Sequence, residues 1–204
     1  GHSLGANAGG DPRLVEVART VPVNAVRLSC DELTIRQINQ RLGELPAGST
    51  VVITEPRGTH NLAVGLDREL DILIDGNAGY FIGGLCDGPG IEVAGFVGWS
   101  VAENLMSGTV RVHGNASECA AASSHGGTVI IEGDASSRAG ISLKGGTLLI
   151  GGDAGHMCGF MAQAGTILVG GDVEEALGDS LYEAVIYVGG SIKSLGSDAR
   201  IEPL

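Results

Sequence analysis

Lysine is almost missing from this 204-residue chain: Lys144 and Lys193 are the two present, and acids outnumber bases 24 to 12. The net charge of −12 leaves no cluster of cations to neutralise phosphates, which argues against nucleic acid and equally against an anionic membrane surface. Aromatic residues are scarce as well, seven in all and none before Tyr80. No apolar run approaches the roughly 18 residues that span a bilayer and no signal peptide is visible, so a cytoplasmic protein is expected. The four cysteines, Cys30, Cys86, Cys119 and Cys158, form no CxxC pair. Their spacing argues against a zinc or iron–sulfur site within the chain, and for free buried thiols in a reducing compartment.

What is abundant is glycine, 35 residues, more than twice the ordinary share. It is unevenly spread. Residues 1–48 hold six glycines with five acids and five bases, whereas the remainder holds 29 glycines with 19 acids and seven bases. Two construction rules follow: an N-terminal arm with a capping strand and helix over 1–48, and a repeat domain over 49–204.

The repeat is legible in three registers. Ile72, Ile91, Val110, Val129, Leu148, Ile167 and Ile186 recur every 19 residues, as do Ile74, Val93, Val112, Ile131, Ile150, Val169 and Val188. Gly76, Gly95, Gly114, Gly133, Gly152, Gly171 and Gly190 keep the same period, and a less regular unit begins at Val51. Nineteen residues are too few for a βαβ crossover and its next strand, and no helical periodicity appears after position 49. They suffice for one coil of a β-solenoid whose equivalent strands stack roughly 4.8 Å apart. The expected fold is all-β: a single-stranded, right-handed parallel β-helix of about eight coils with a short N-terminal strand and helix as its cap. Val23 to Leu28 reads as the strand, Ser29-Cys-Asp-Glu32 as a capping box, and Leu33, Ile35, Ile38 and Leu42 as the apolar face of a helix closed by Gly43.

Candidate chemistry is sparse. Asn115, Asp134, Asp153 and Asp172 share one register, so stacking makes them a column of side-chain oxygens. Such a column suits calcium or magnesium; the alternative is that Asn and Asp hydrogen-bond their own backbone at turns. His60, His113, His125 and His156 share no metal-ligand spacing. Ser123-Ser124-His125 places a hydroxyl beside a base in sequence, but neighbours on a strand face opposite ways. No catalytic residue, bound cofactor or metal is therefore expected in this chain.

The outward strand position is more informative. Val52, Leu73, Glu92, Arg111, Ile130, Leu149, Leu168 and Tyr187 lie between the inward pairs, and the last four are consecutive and apolar. Ile130, Leu149, Leu168 and Tyr187 are the expected partner interface, since a soluble rod does not leave such a ladder bare. A chain terminus folded over them is the competing reading.

Two units, Gly133-Asp-Ala-Ser-Ser-Arg-Ala-Gly140 and Gly152-Asp-Ala-Gly-His-Met-Cys-Gly159, resemble the GXGXG region that closes the glutamate synthase large subunit. The likeness runs from about residue 21 to 199. Its most specific stretches are Gly79–Pro89, Gly95–Asn104, Leu177–Tyr182 and Ile186–Gly196, which resemble most the stand-alone form of that domain in N-methylglutamate synthase. The C subunit of formylmethanofuran dehydrogenase and its formyltransferase/hydrolase relatives share the repeat but not these stretches. The resemblance implies a non-catalytic subunit of a hetero-oligomer that holds a glutaminase-like subunit to an FMN and iron–sulfur synthase-like subunit. A C1-transfer complex is the alternative, and a free-standing carbohydrate-active β-helix enzyme is another. That last reading needs aromatic and basic sugar-binding residues which this composition supplies poorly.

Overall fold

The computed structural model describes residues 21–203. Nine strands form one wholly parallel sheet whose spatial order is the chain order. They are β1 (Val26–Ser29), β2 (Thr50–Thr54), β3 (Asp71–Ile74), β4 (Asp87–Val93), β5 (Ser107–Val112), β6 (Thr128–Ile131), β7 (Thr147–Ile150), β8 (Thr166–Val169) and β9 (Val185–Val188), with one helix, α1 (Ile35–Glu44), between β1 and β2. Each strand pairs with its successor, and from β3 onward the partners are the 19-residue equivalents: Ile72 faces Ile91, Val110 faces Val129, and Ile167 faces Ile186. The architecture is a parallel β-solenoid of about seven turns from β2 to β9. The step from β2 to β3 is irregular in the repeat because Val51 pairs with Ile72.

The alternation of side chains along a strand sets the core. In β6 and β7 the second and fourth residues are buried and the first and third are half-buried. Ile131 is fully enclosed, and Ile150 and Val169 are each 2% exposed. A second parallel ladder runs along the rod, pairing Val97, Ala116, Ala135, Ala154, Val173 and Ile192 in turn. Its alanines are buried, and their small side chains suit a closely packed interior.

The return arc of each coil has an uncommon backbone. Three alternate residues lie in the left-handed region, for example Ser100, Ala102 and Asn104, then Cys119, Ala121 and Ser123, all with φ between 54° and 60°. Each such non-glycine residue costs roughly 1–2 kcal/mol in isolation. Inter-coil hydrogen bonds offset this. The outer two donate forward, Ser100 N–H to Glu118 O and Asn104 N–H to Ala122 O, both at 2.9 Å. The middle one donates backward, Ala102 N–H to Ile82 O at 2.8 Å. Alternating the backbone in this way sends donors both up and down the stack, so the arc is locked without being a strand.

Helix α1 seals the first coil. Its buried residues are Ile38 and Leu42, one turn apart and both fully enclosed. Asn39 fastens it, donating to Asn61 O at 2.7 Å and accepting from Val64 N–H at 3.1 Å. The expected capping box at Ser29–Glu32 is not the one used. Thr34 is the N-cap, bonded reciprocally with Gln37. Ser29 instead closes β1, its hydroxyl accepting from Asp31 N–H and donating to Glu55. The expected strand likewise starts later, at Val26 rather than Val23, and Gly43 lies inside the helix, whose C-cap is Leu45. The arm at residues 1–20 lies outside the described residues.

Candidate functional site

The outer sheet face follows from the strand register. Arg111 pairs with Ile130, Ile130 with Leu149, Leu149 with Leu168, and Leu168 with Tyr187, so the four expected interface residues form one continuous column. Ile130 and Leu149 are half-buried, while Leu168 and Tyr187 are 38% and 44% exposed. Beside them runs a column without side chains: Gly151, Gly170 and Gly189, all exposed. On the other side stand Thr109, Thr128, Thr147 and Thr166 in mutual register. Threonine, aliphatic and glycine columns together make a flat, low surface. Parallel sheets are ordinarily covered on both faces, and the solenoid core covers only the inner one.

The near end of the same column is treated differently. Val52 is 2% exposed although it points outward, and it shares a groove with Val21, Pro22 and Leu73. Among the described residues nothing comparable lies over Leu168 and Tyr187. Between the two apolar ends sits a charged group. His113 lies between two carboxylates, Nε2 at 2.5 Å from Glu92 and Nδ1 at 2.8 Å from Glu132. Arg111 adds an ion pair to Glu132, its Nε donating at 2.8 Å. Burial raises the Glu132 carboxyl, but hydrogen bonds and charge from Arg111 and His113 outweigh it and hold the group below its ordinary range. Sequence reasoning missed this cluster, because it joins residues from three coils whose offsets match no motif. The signal was present: Glu92 and Arg111 stand in the outward column, and His113 and Glu132 each follow an inward valine or isoleucine.

The Asn and Asp column has a structural role. One carboxylate oxygen of Asp134 accepts Asp153 N–H at 2.8 Å, Asp153 accepts Asp172 N–H at 2.8 Å, and Asp172 accepts Ser191 N–H at 2.7 Å. Asn115 and Asn77 do the same for Asp134 and Phe96. The column therefore bonds backbone, as one reading expected, but that of the next coil rather than its own. The hydrogen bonds at Ser191 hold the Asp172 carboxyl below its usual range. Glycine follows at each corner because a Cβ on Gly133, Gly152 or Gly171 would collide with the Oδ1 of the preceding coil. Ser124 is buried and donates to Ala102 O at 2.8 Å, while His125 is exposed.

All four cysteines are free thiols, Cys86 and Cys158 buried, Cys30 and Cys119 half-buried. Burial pushes Cys86 up to about 11 and Cys158 up to about 12, and raises the other two. A nucleophilic cysteine needs the opposite shift. No helix among the described residues is long and apolar enough to cross a membrane, and no group of three or more His, Cys, Asp or Glu there could hold a metal ion.

No family model matches the chain. A stretch of 79 residues is 44% identical to Protein GlxC of Rhizobium meliloti (strain 1021), covering 37% of this chain and 35% of that protein. The match thus spans about a third of the relative's length.

Proposed function

We propose that this chain is a non-catalytic assembly subunit of a glutamate-synthase-like complex of the N-methylglutamate synthase type. Its outer sheet face binds one of two partner chains, a glutaminase-like subunit and a synthase-like subunit carrying FMN and iron–sulfur clusters. The observation that carries the reading is the bare outward column of Ile130, Leu149, Leu168 and Tyr187, flanked by glycine on one side and threonine on the other. Shielding those side chains supplies the apolar drive for association, and the missing side chains at Gly151, Gly170 and Gly189 let a partner backbone come close. The likeness to GlxC supports a glutamate-synthase-like family, and the GXGXG-like units of the sequence support the finer assignment.

The solenoid suits the role because its coils fix the spacing of surface residues without a mobile hinge. Asn115, Asp134, Asp153, Asp172 and Ser124 are engaged in holding coils together, and burial raises the thiols. Purification of the tagged chain from its native host, with mass spectrometry of bound proteins, tests the proposal. A glutaminase-like and a flavin- and iron–sulfur-binding chain are the expected companions. Formyltransferase and amidohydrolase companions would instead assign it to a C1-transfer complex.

A further inference from the structure

Of the seven aromatic residues, Tyr80 and Trp99 meet at one corner of the first and second regular coils, and both are exposed. Tyr80 is stacked between two rings. His60 lies parallel to it with centroids 3.7 Å apart, and Trp99 lies 5.4 Å away, tilted by 35°. The backbone is shaped for this ladder. A Cβ at Gly79 would fall on the His60 ring, and one at Gly98 would press on the Gly79–Tyr80 peptide. His60 Nδ1 accepts Tyr80 N–H at 2.9 Å, which fixes the ring plane on which Tyr80 stacks.

The ladder ends unfinished. Trp99 is 61% exposed, and the next residue at its register is not aromatic but Glu118, itself exposed. Ser100 N–H bonds to Glu118 O, so Glu118 holds the equivalent position one coil beyond Trp99. Glu103 lies four residues on in the same coil. An exposed indole with an exposed glutamate at its register in the next coil, on a chain of net charge −12, is the complement of a planar cation, which can both stack on the ring and pair with the acid.

We infer that the Tyr80–Trp99 corner is a second docking surface, and that its occupant is an arginine-bearing segment of a partner chain stacked on Trp99 and paired with Glu118. The inference rests on the assembly reading above and adds a second direction to it. Trp99 comes seven residues further round the coil than Glu92 of the outward column, so the two surfaces face different sides of the rod. A subunit that joins two partners needs two such faces.

The test uses the complex assembled in its native host, with benzoylphenylalanine at position 99 in one preparation and at position 149 in another. Adducts are identified by mass spectrometry. The expected result is a cross-link from position 99 to an arginine-containing segment distinct from the segment reached from position 149. Trp99→Ala is expected to reduce recovery of that partner about tenfold, while Trp99→Phe, which keeps a π face, retains most of it. Cross-linking at 149 without any at 99 would overturn this inference and leave the assembly reading standing, whereas silence at both positions would remove both. An adduct on a segment lacking arginine would overturn the arginine assignment. Because Trp99 is the sole tryptophan of the chain, its fluorescence offers an independent check. A saturable response of the isolated protein to xylan or pectin oligosaccharides would show a sugar platform instead.

Discussion

Asp153 accepts the backbone N–H of Asp172 through Oδ1 at 2.8 Å, and that single contact repeats at the same corner in successive coils. The column therefore acts as a chain of struts. Asp153→Asn keeps the accepting oxygen, as Asn115 already does, and is expected to be nearly neutral. Asp153→Ala removes it and is expected to cost about 1 kcal/mol, read by urea denaturation. Equal effects of the two would show that the oxygen is not used. Millimolar calcium is expected to leave the melting temperature unchanged, because one oxygen of each carboxylate is committed to the next coil.

Ser142 sits at φ 52° and donates its N–H to Phe160 O at 2.8 Å. Ser142→Gly removes the side-chain clash while keeping the bond, so stability is expected to hold or rise by up to about 1 kcal/mol. At an ordinary strand position the same change destabilises. Thermal denaturation of Ser142→Gly beside Thr147→Gly makes the comparison, and a loss at both would contradict the left-handed arc.

Much of this architecture was legible in the sequence, and for a definite reason. Parallel stacking puts equivalent residues in contact, so the 19-residue period of Ile72 to Ile186 is also the pairing register. The inward and outward assignment followed from alternation alone. The left-handed arc was hidden, because its positions are filled by Ser, Ala, Asn, Cys, Arg, Met, Phe and Leu more often than by glycine. The helix start was misplaced because Ser29–Glu32 and Thr34–Gln37 carry equivalent capping chemistry, and only the place where β1 ends decides between them. The His113 cluster escaped because it joins residues of unlike chemistry from neighbouring coils, which a search for repeats discards, and His60 of the aromatic corner because it lies 20 rather than 19 residues before Tyr80.

Glu132 gives a pH signature. Its carboxyl titrates below the ordinary value of 4.5 in the folded protein because Arg111 and His113 hold the anion against the effect of burial. A lowered folded value means stability that is present above pH 4.5 and lost as pH falls through the folded value. Glu132→Gln is expected to flatten that acid limb of the stability curve. An unchanged acid limb would show that the Arg111 and His113 contacts contribute nothing.

The outward column is expected to bind a partner, and Leu149→Arg is the sharpest probe of that contact. Leu149 lies mid-column, while its neighbour Ile150 is 2% exposed and points into the core. Ile150→Asp serves as the folding control and is expected to destabilise severely, by at least about 4 kcal/mol, through a buried unpaired charge. The measurement is recovery of partner chains with tagged Leu149→Arg from the native host, alongside its circular dichroism. The expected result is a soluble variant with the native spectrum that no longer recovers the partner bound at this face. A folded variant that assembles normally would contradict the account, and so would one that unfolds as Ile150→Asp does.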